Sequence, residues 1–90
     1  MHVQYEIRAY GRVQGVGFRA AARDQARRLK LKGWVENQSD GSVKIRVCGG
    51  QEMCSQFIQW CRRGSGYSWV EGLDIHEMPP EPFSAFAIRY

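Results

Sequence analysis

With 90 residues, 43% hydrophobic and 24% charged, the chain has the makeup of one globular domain, residues 1–90, with a single modest core; this argues against disorder and against a second module. A net charge of +4 favours anionic partners, either nucleic acid or small phosphorylated metabolites. No run approaches the ~18 apolar residues of a membrane span, and Met1-His2-Val3-Gln4-Tyr5-Glu6 lacks the features of a signal peptide, so a cytoplasmic protein with no membrane partner is expected.

Residues 3–10 read as a strand, with Val3, Tyr5, Ile7 and Ala9 on one face and Gln4, Glu6 and Arg8 on the other. A glycine-rich turn over 11–17 leads into a helix in which Phe18, Ala22, Ala26 and Leu29 recur at helical spacing to about residue 30. Gly33 to Asn37 is a short strand, and Ser39-Asp40-Gly41-Ser42 is a turn, since Asp-Gly tolerates positive φ. The next strand, Val43 to Val47, points Val43, Ile45 and Val47 to the core and Lys44 and Arg46 away, and Cys48-Gly49-Gly50 breaks it. A second helix over 51–63 carries Met53, Phe57 and Trp60 as a core stripe, and Gly64-Ser65-Gly66 ends it. Residues 67–77 form a strand with Trp69, Leu73 and Ile75 as its apolar set and Gly72 marking a bulge. Met78 to Pro82 is a loop, because proline cannot donate to a ladder, and residues 86–90 alternate as a final strand.

The order β-α-β-β-α-β-β contains two split βαβ units. It fits an α+β, ferredoxin-like sandwich: one antiparallel-dominated sheet with two amphipathic helices on one face.

Three cysteines do not make a disulfide framework. Cys54 and Cys61, seven residues apart on one helix, are separated by about 10 Å of rise, beyond the reach of a bridge. Buried free thiols are the favoured reading, with pairing of Cys48 to either of the others left open. Arg23, Arg27, Arg28, Lys30 and Lys32 read as one solvated helix face, with Asp24 placed to offset Arg27 and Arg28.

The run Gly11-Arg12-Val13-Gln14-Gly15-Val16-Gly17-Phe18-Arg19 carries the chemistry. A glycine-rich turn can aim several backbone N–H groups at one point, and the following helix adds its unpaired amides and the positive end of its dipole. Spacing alone leaves open a plain strand-to-helix connection, because glycine also serves merely to allow positive φ. Arg19 shifts the balance. A cation at a helix start opposes the dipole, where an acidic residue would stabilise by a few tenths to about 1 kcal/mol, so an anion is expected to complete the site. Asn37 at a strand end reads, taken alone, as ordinary turn chemistry. No serine, cysteine or histidine stands near the turn as a nucleophile, and neither His2 and His76 nor Asp24, Asp40 and Asp74 have the spacing of a metal site. Glu36 adjoins Asn37 but points to the opposite face of its strand. Any catalysis is therefore expected to use no metal, no cofactor and no covalent intermediate.

These motifs, Gly11 to Arg19 followed by Gly33-Trp34-Val35-Glu36-Asn37 and Asp40-Gly41-Ser42-Val43, resemble the two signatures of the acylphosphatase family. The resemblance extends over essentially the whole chain. It implies a ferredoxin-like sandwich that hydrolyses the carboxyl–phosphate bond of small acyl phosphates, releasing a carboxylate and inorganic phosphate. It also implies that Arg19 binds the phosphate with the backbone of Gln14, Gly15, Val16, Gly17 and Phe18, and that Asn37 orients the attacking water. The chain departs from the family pattern at Leu29-Lys30-Leu31, where glycine often holds the middle position, and at Gly64-Ser65-Gly66, where glycine-proline is common.

Two other readings share these features. An RNA-recognition module has the same element order, but it needs stacking aromatics on the strand Val43–Val47, which has none; no nucleic-acid partner is expected. The acylphosphatase-like domain of a large hydrogenase-maturation protein would bring zinc-finger and further catalytic segments, for which this chain has no residues. A monomer is expected, as no continuous apolar surface stripe is evident beyond the core faces.

Overall fold

A computed structural model describes residues 2–90; Met1, the first residue of the expected domain, lies outside the described residues. The elements are β1 (His2–Arg12), α1 (Phe18–Arg28), β2 (Lys32–Asn37), β3 (Val43–Gly50), α2 (Gln51–Arg63), β4 (Trp69–Met78) and β5 (Phe86–Arg89). They form one five-stranded sheet in the order β4-β1-β3-β2-β5, antiparallel except for the parallel pair β2–β5. The expected α+β sandwich is therefore the observed one.

Alternation along the strands sends Val3, Ile7, Ala9, Val35, Val43, Ile45 and Val47 to the helix-covered face, all buried. Helix α1 packs on β2 and β5, and α2 on β4, β1 and β3. The helices meet where Phe18 stacks on Trp60 at 5.5 Å, and Phe57 continues the cluster to Trp60 at 5.9 Å and Phe86 at 6.2 Å. The stripe of α2 is thus core, as its spacing indicates. Cys54 and Cys61 are buried within it, and all three cysteines are free thiols. Burial pushes Cys54 up to about 11, with Cys48 adding to the rise, and pushes Cys61 higher still.

Several local expectations are corrected. Strand β3 runs on through Cys48-Gly49-Gly50, because β1 continues to pair with it as far as His2↔Gly50. In β4, Glu71 is skipped between the pairs Tyr10↔Gly72 and Gly11↔Val70. That bulge reverses the alternation: Val70 packs on the core, and Trp69, expected inside, is 69% exposed. Gln4, expected on the solvent face, is fully buried. The segment joining edge strand β4 to the opposite edge strand β5 straps the sheet's outer face; Gln4 Oε1 accepts from the Glu81 N–H (2.7 Å) and its Nε2 donates to Glu81 Oε1 (3.2 Å).

Helix α1 ends earlier than expected. Leu31 N–H reaches Ala26 O (2.8 Å) and Lys30 N–H reaches Arg27 O (3.0 Å), the bond pattern of a Schellman stop. That stop requires a left-handed residue, and Lys30 occupies it at φ 60°, the one non-glycine residue at positive φ among those described. Lys30 and Lys32 are consequently not part of the helix face. Asp24 pairs with Arg23 (3.1 Å), not with Arg27 or Arg28, and Arg27 instead donates to Phe86 O on β5 (3.0 Å). Replacing Lys30 with glycine relieves the left-handed strain, so Lys30→Gly is expected to raise unfolding stability by about 1 kcal/mol in urea titration.

Candidate active site

Strand β1 delivers the chain into the glycine turn, and α1 begins directly after it. Gly15 (φ 73°) and Gly17 (φ 79°) both take left-handed conformations, and a Cβ at either position would meet nothing within 4 Å. The turn therefore opens onto free space. Among the described residues, none of the backbone N–H groups of Gln14 to Phe18 donates to a protein acceptor. Helix α1 has no side-chain cap at Gly17 and no acidic residue in its first turn, so the positive end of its dipole is uncompensated.

Arg19, the second residue of α1, adds to that positive field. Its Nη1 donates to Arg89 O at 3.2 Å, and its guanidinium lies 4.9 Å from the centre of the Tyr90 ring. A cavity of about 190 Å³ lies here, lined by Gly15, Gly17, Arg19, Ala20, Ile88 and Tyr90 among others. Buried Val13 and Phe18 form its floor, and Phe18 is anchored by its stack on Trp60.

The Gln14 side chain does a different job from its backbone. Its Nε2 donates to both Gln38 O and Ser42 O at 2.8 Å, stitching the glycine turn to the β2–β3 turn. That second turn is closed by Gln38 N–H to Ser42 O (2.8 Å) and by Asp40, whose Oδ1 accepts from Ser42 N–H (2.9 Å) and Ser42 Oγ (2.6 Å). These Ser42 bonds, hydroxyl first, hold the Asp40 carboxyl below its ordinary range, and Arg8 adds to the effect. Because the folded value is the lower one, Asp40's contribution to stability is present above its unfolded value and fades as pH falls through the folded one. In Ser42→Ala, the Asp40 carboxyl should titrate at a higher pH than in the wild type, as followed by carboxyl-carbon NMR.

Asn37 closes β2 immediately before this turn. By strand alternation it shares the helix-side face with buried Val35, while Glu36 lies on the other face and pairs with Arg89 (3.5 Å). The expectation that Glu36 stays away from Asn37's face is met. Glu36 lies opposite Arg89 in the parallel β2–β5 register, so Asn37 stands at the same sheet end as Tyr90 and the carbonyl that Arg19 touches. Asn37 Oδ1 is buried and, among the described residues, is the buried side-chain oxygen with no hydrogen-bond partner. Asn37 does not itself line the 190 Å³ cavity, nor do Gln14 and Val16. Val16 is half-buried and packs back on the core.

Sequence reasoning missed Ala20, Ile88 and Tyr90 as walls of this cavity, and the Gln14 amide as a tie. The spacing of Ala20 on α1 and the alternation Phe86-Ile88-Tyr90 carried the signal for the walls. For Gln14 there was none, because its partners are carbonyls 24 and 28 residues away. Among the described residues no three His, Cys, Asp or Glu side chains gather in a way that could hold a metal ion, and no helix is long and apolar enough to cross a membrane.

A strand–glycine turn–helix with unpaired amides, joined by a guanidinium, defines an anion-handling α+β protein. The sequence model of the acylphosphatase family matches residues 5–88. An acylphosphatase of Bacillus velezensis is 43% identical over 89 residues, covering 98% of this chain and 99% of that protein. The crystal structure of acylphosphatase from Bacillus subtilis superposes with a TM-score of 0.95 at 38% identity, covering 98% of this chain and 99% of that one. Full-length HypF, solved in a phosphate- and nucleotide-bound form, matches at 27% identity and a TM-score of 0.93 over all of this chain but 12% of its own. The chain belongs to the acylphosphatase family, and it is an enzyme that hydrolyses acyl phosphates to a carboxylate and inorganic phosphate.

Proposed function

We propose that the reaction runs in the cavity at the head of α1, with Arg19 and the backbone of Gln14 to Phe18 holding the phosphoryl group and Asn37 positioning the water. The observation that carries this reading is the conjunction of unpaired turn amides, an uncapped helix start and Arg19 around one open space. The phosphoryl oxygens take the turn N–H groups, and Arg19 turns its fork from the Arg89 carbonyl to the phosphate.

The Asn37 side-chain amide at the end of β2 holds a water so that the water's lone pair faces phosphorus. An Asn amide does not titrate near neutral pH, so Asn37 aligns the nucleophile without acting as base. As the water oxygen bonds to phosphorus, the bond from phosphorus to the acyl oxygen breaks and the carboxylate leaves with that electron pair. The proton lost by the water passes to a phosphate oxygen. A carboxylate leaving group is stable as an anion and needs no general acid, so positioning and electrostatics suffice.

The cradle, Arg19 and Asn37 all come from one chain, which supports action as a monomer of one domain. The three free thiols accord with a reducing compartment, the cytoplasm. The test is phosphate release from benzoyl phosphate and carbamoyl phosphate, with EDTA present, by the wild type, Arg19→Gln and Asn37→Ala. The wild type should be active and both variants crippled; full activity in both variants would move the site elsewhere.

A further inference from the structure

A second cavity, larger than the one at the head of α1, lies elsewhere on the described chain. A cleft of about 360 Å³ lies at the other end of the sheet, between the strap 79–85 and the ends of the central strands. His2, which opens β1, lines it, while the glycine turn follows the far end of the same 11-residue strand. Helix α1 links the two: Arg19 at its head lines the first cavity and Lys30 just past its end lines the second, about 16 Å along the helix axis.

The lining has two kinds of surface. Pro80, Pro82 and Phe83 of the strap supply an apolar wall, and Lys30, Lys32 and His2 supply cationic or ionisable groups. No ion pair among the described residues includes Lys30, Lys32 or His2. The acid in the wall, Glu81, already accepts from Arg46 (2.9 Å) and Gln4 (3.2 Å). The cleft therefore presents uncompensated positive charge beside an apolar surface.

Lys30 is an independent pointer. The helix stop demands a left-handed residue, glycine meets that demand without strain, and the chain places a lysine there instead, on the cleft wall. Strain retained at a single position, with its charged side chain on the wall of this cleft, suggests a role beyond folding.

We propose that this cleft is a second binding site, separate from the catalytic cavity, for an organic oxyanion: a carboxylate or phosphate ester on an apolar, ring-sized body. The oxyanion pairs with Lys30 and Lys32, and the body packs on Pro80, Pro82 and Phe83. The site does not depend on the roles of Arg19 and Asn37.

The test is amide NMR of the wild-type protein titrated with benzoate, phenyl phosphate and neutral benzamide, read at Gly49 and Phe83, which line the cleft. Saturable shifts with benzoate alone assign a carboxylate, with phenyl phosphate alone a phosphate ester, and with both an oxyanion site of either kind. Lys30→Gly, whose fold should be the more stable, and Lys32→Ala should each weaken the response by about fivefold, the loss expected for one partly solvated charge pair. Equal binding of benzamide, unchanged binding in both lysine variants, or no saturable shift at these amides would each overturn the proposal.

Discussion

Arg19→Gln should lower kcat/KM for benzoyl phosphate by about a thousandfold or more. Removing one preorganised donor to developing charge costs about a hundred- to a thousandfold, and a guanidinium serving a phosphoryl group is worth as much or more. Glutamine keeps some length and one amide donor, but it loses both the fork and the charge. The same variant should abolish competitive inhibition by inorganic phosphate, since that product shares the cradle. Unchanged inhibition would place the anion elsewhere. The fold should survive: the variant loses one hydrogen bond to Arg89 O and one contact with the Tyr90 ring, but it also removes a cation from an uncapped helix start. These effects oppose one another, and the net stability change should stay under about 1 kcal/mol.

Asn37→Ala should act differently. If its role is to align water, kcat falls by about a hundredfold while KM and the phosphate inhibition constant stay near wild type, because the cradle is intact. Stability supplies a second readout. Truncating a satisfied buried amide would destabilise the fold, but Asn37 Oδ1 has no partner, so its removal should leave stability unchanged or raise it by up to about 1 kcal/mol. A variant that lost activity together with several kcal/mol of stability would point to a structural asparagine, the ordinary turn chemistry that its position at a strand end also permits. Steady-state kinetics and urea unfolding on the same preparations separate the two.

The pattern of agreement between sequence and structure has physical causes. Elements with strict periodicity, such as Val43-Ile45-Val47 and Met53-Phe57-Trp60, lie where their spacing puts them because one buried face determines both register and orientation. Failures occur where a long-range event overrides the local pattern. Trp69 turns outward because a single skipped residue at Glu71 inverts the alternation. Gln4 is buried by a strap 77 residues away in sequence, whose path depends on the order of strands in the sheet. Cys48 to Gly50 look like a break, yet the length of β1 keeps them paired.

At the site, the glycines and Arg19 were legible because each is locally unfavourable or permissive in a way that an anion explains. Asn37 is ambiguous by itself, and only the two family motifs together single it out. Its unpaired oxygen, which distinguishes it from a simple turn residue, is a property of the folded chain. The apolar wall of Ala20, Ile88 and Tyr90 appears only when β5 pairs alongside β2 and brings its end to the head of α1.

In the proposed reaction the cradle holds the phosphoryl group while a water placed by Asn37 attacks phosphorus. Hydrolysis of benzoyl phosphate in water labelled with heavy oxygen, followed by mass analysis of both products, tests it most directly. The label should appear in inorganic phosphate and be absent from benzoate. Label in benzoate would mean attack at the acyl carbon and would contradict the assignment of both Arg19 and Asn37.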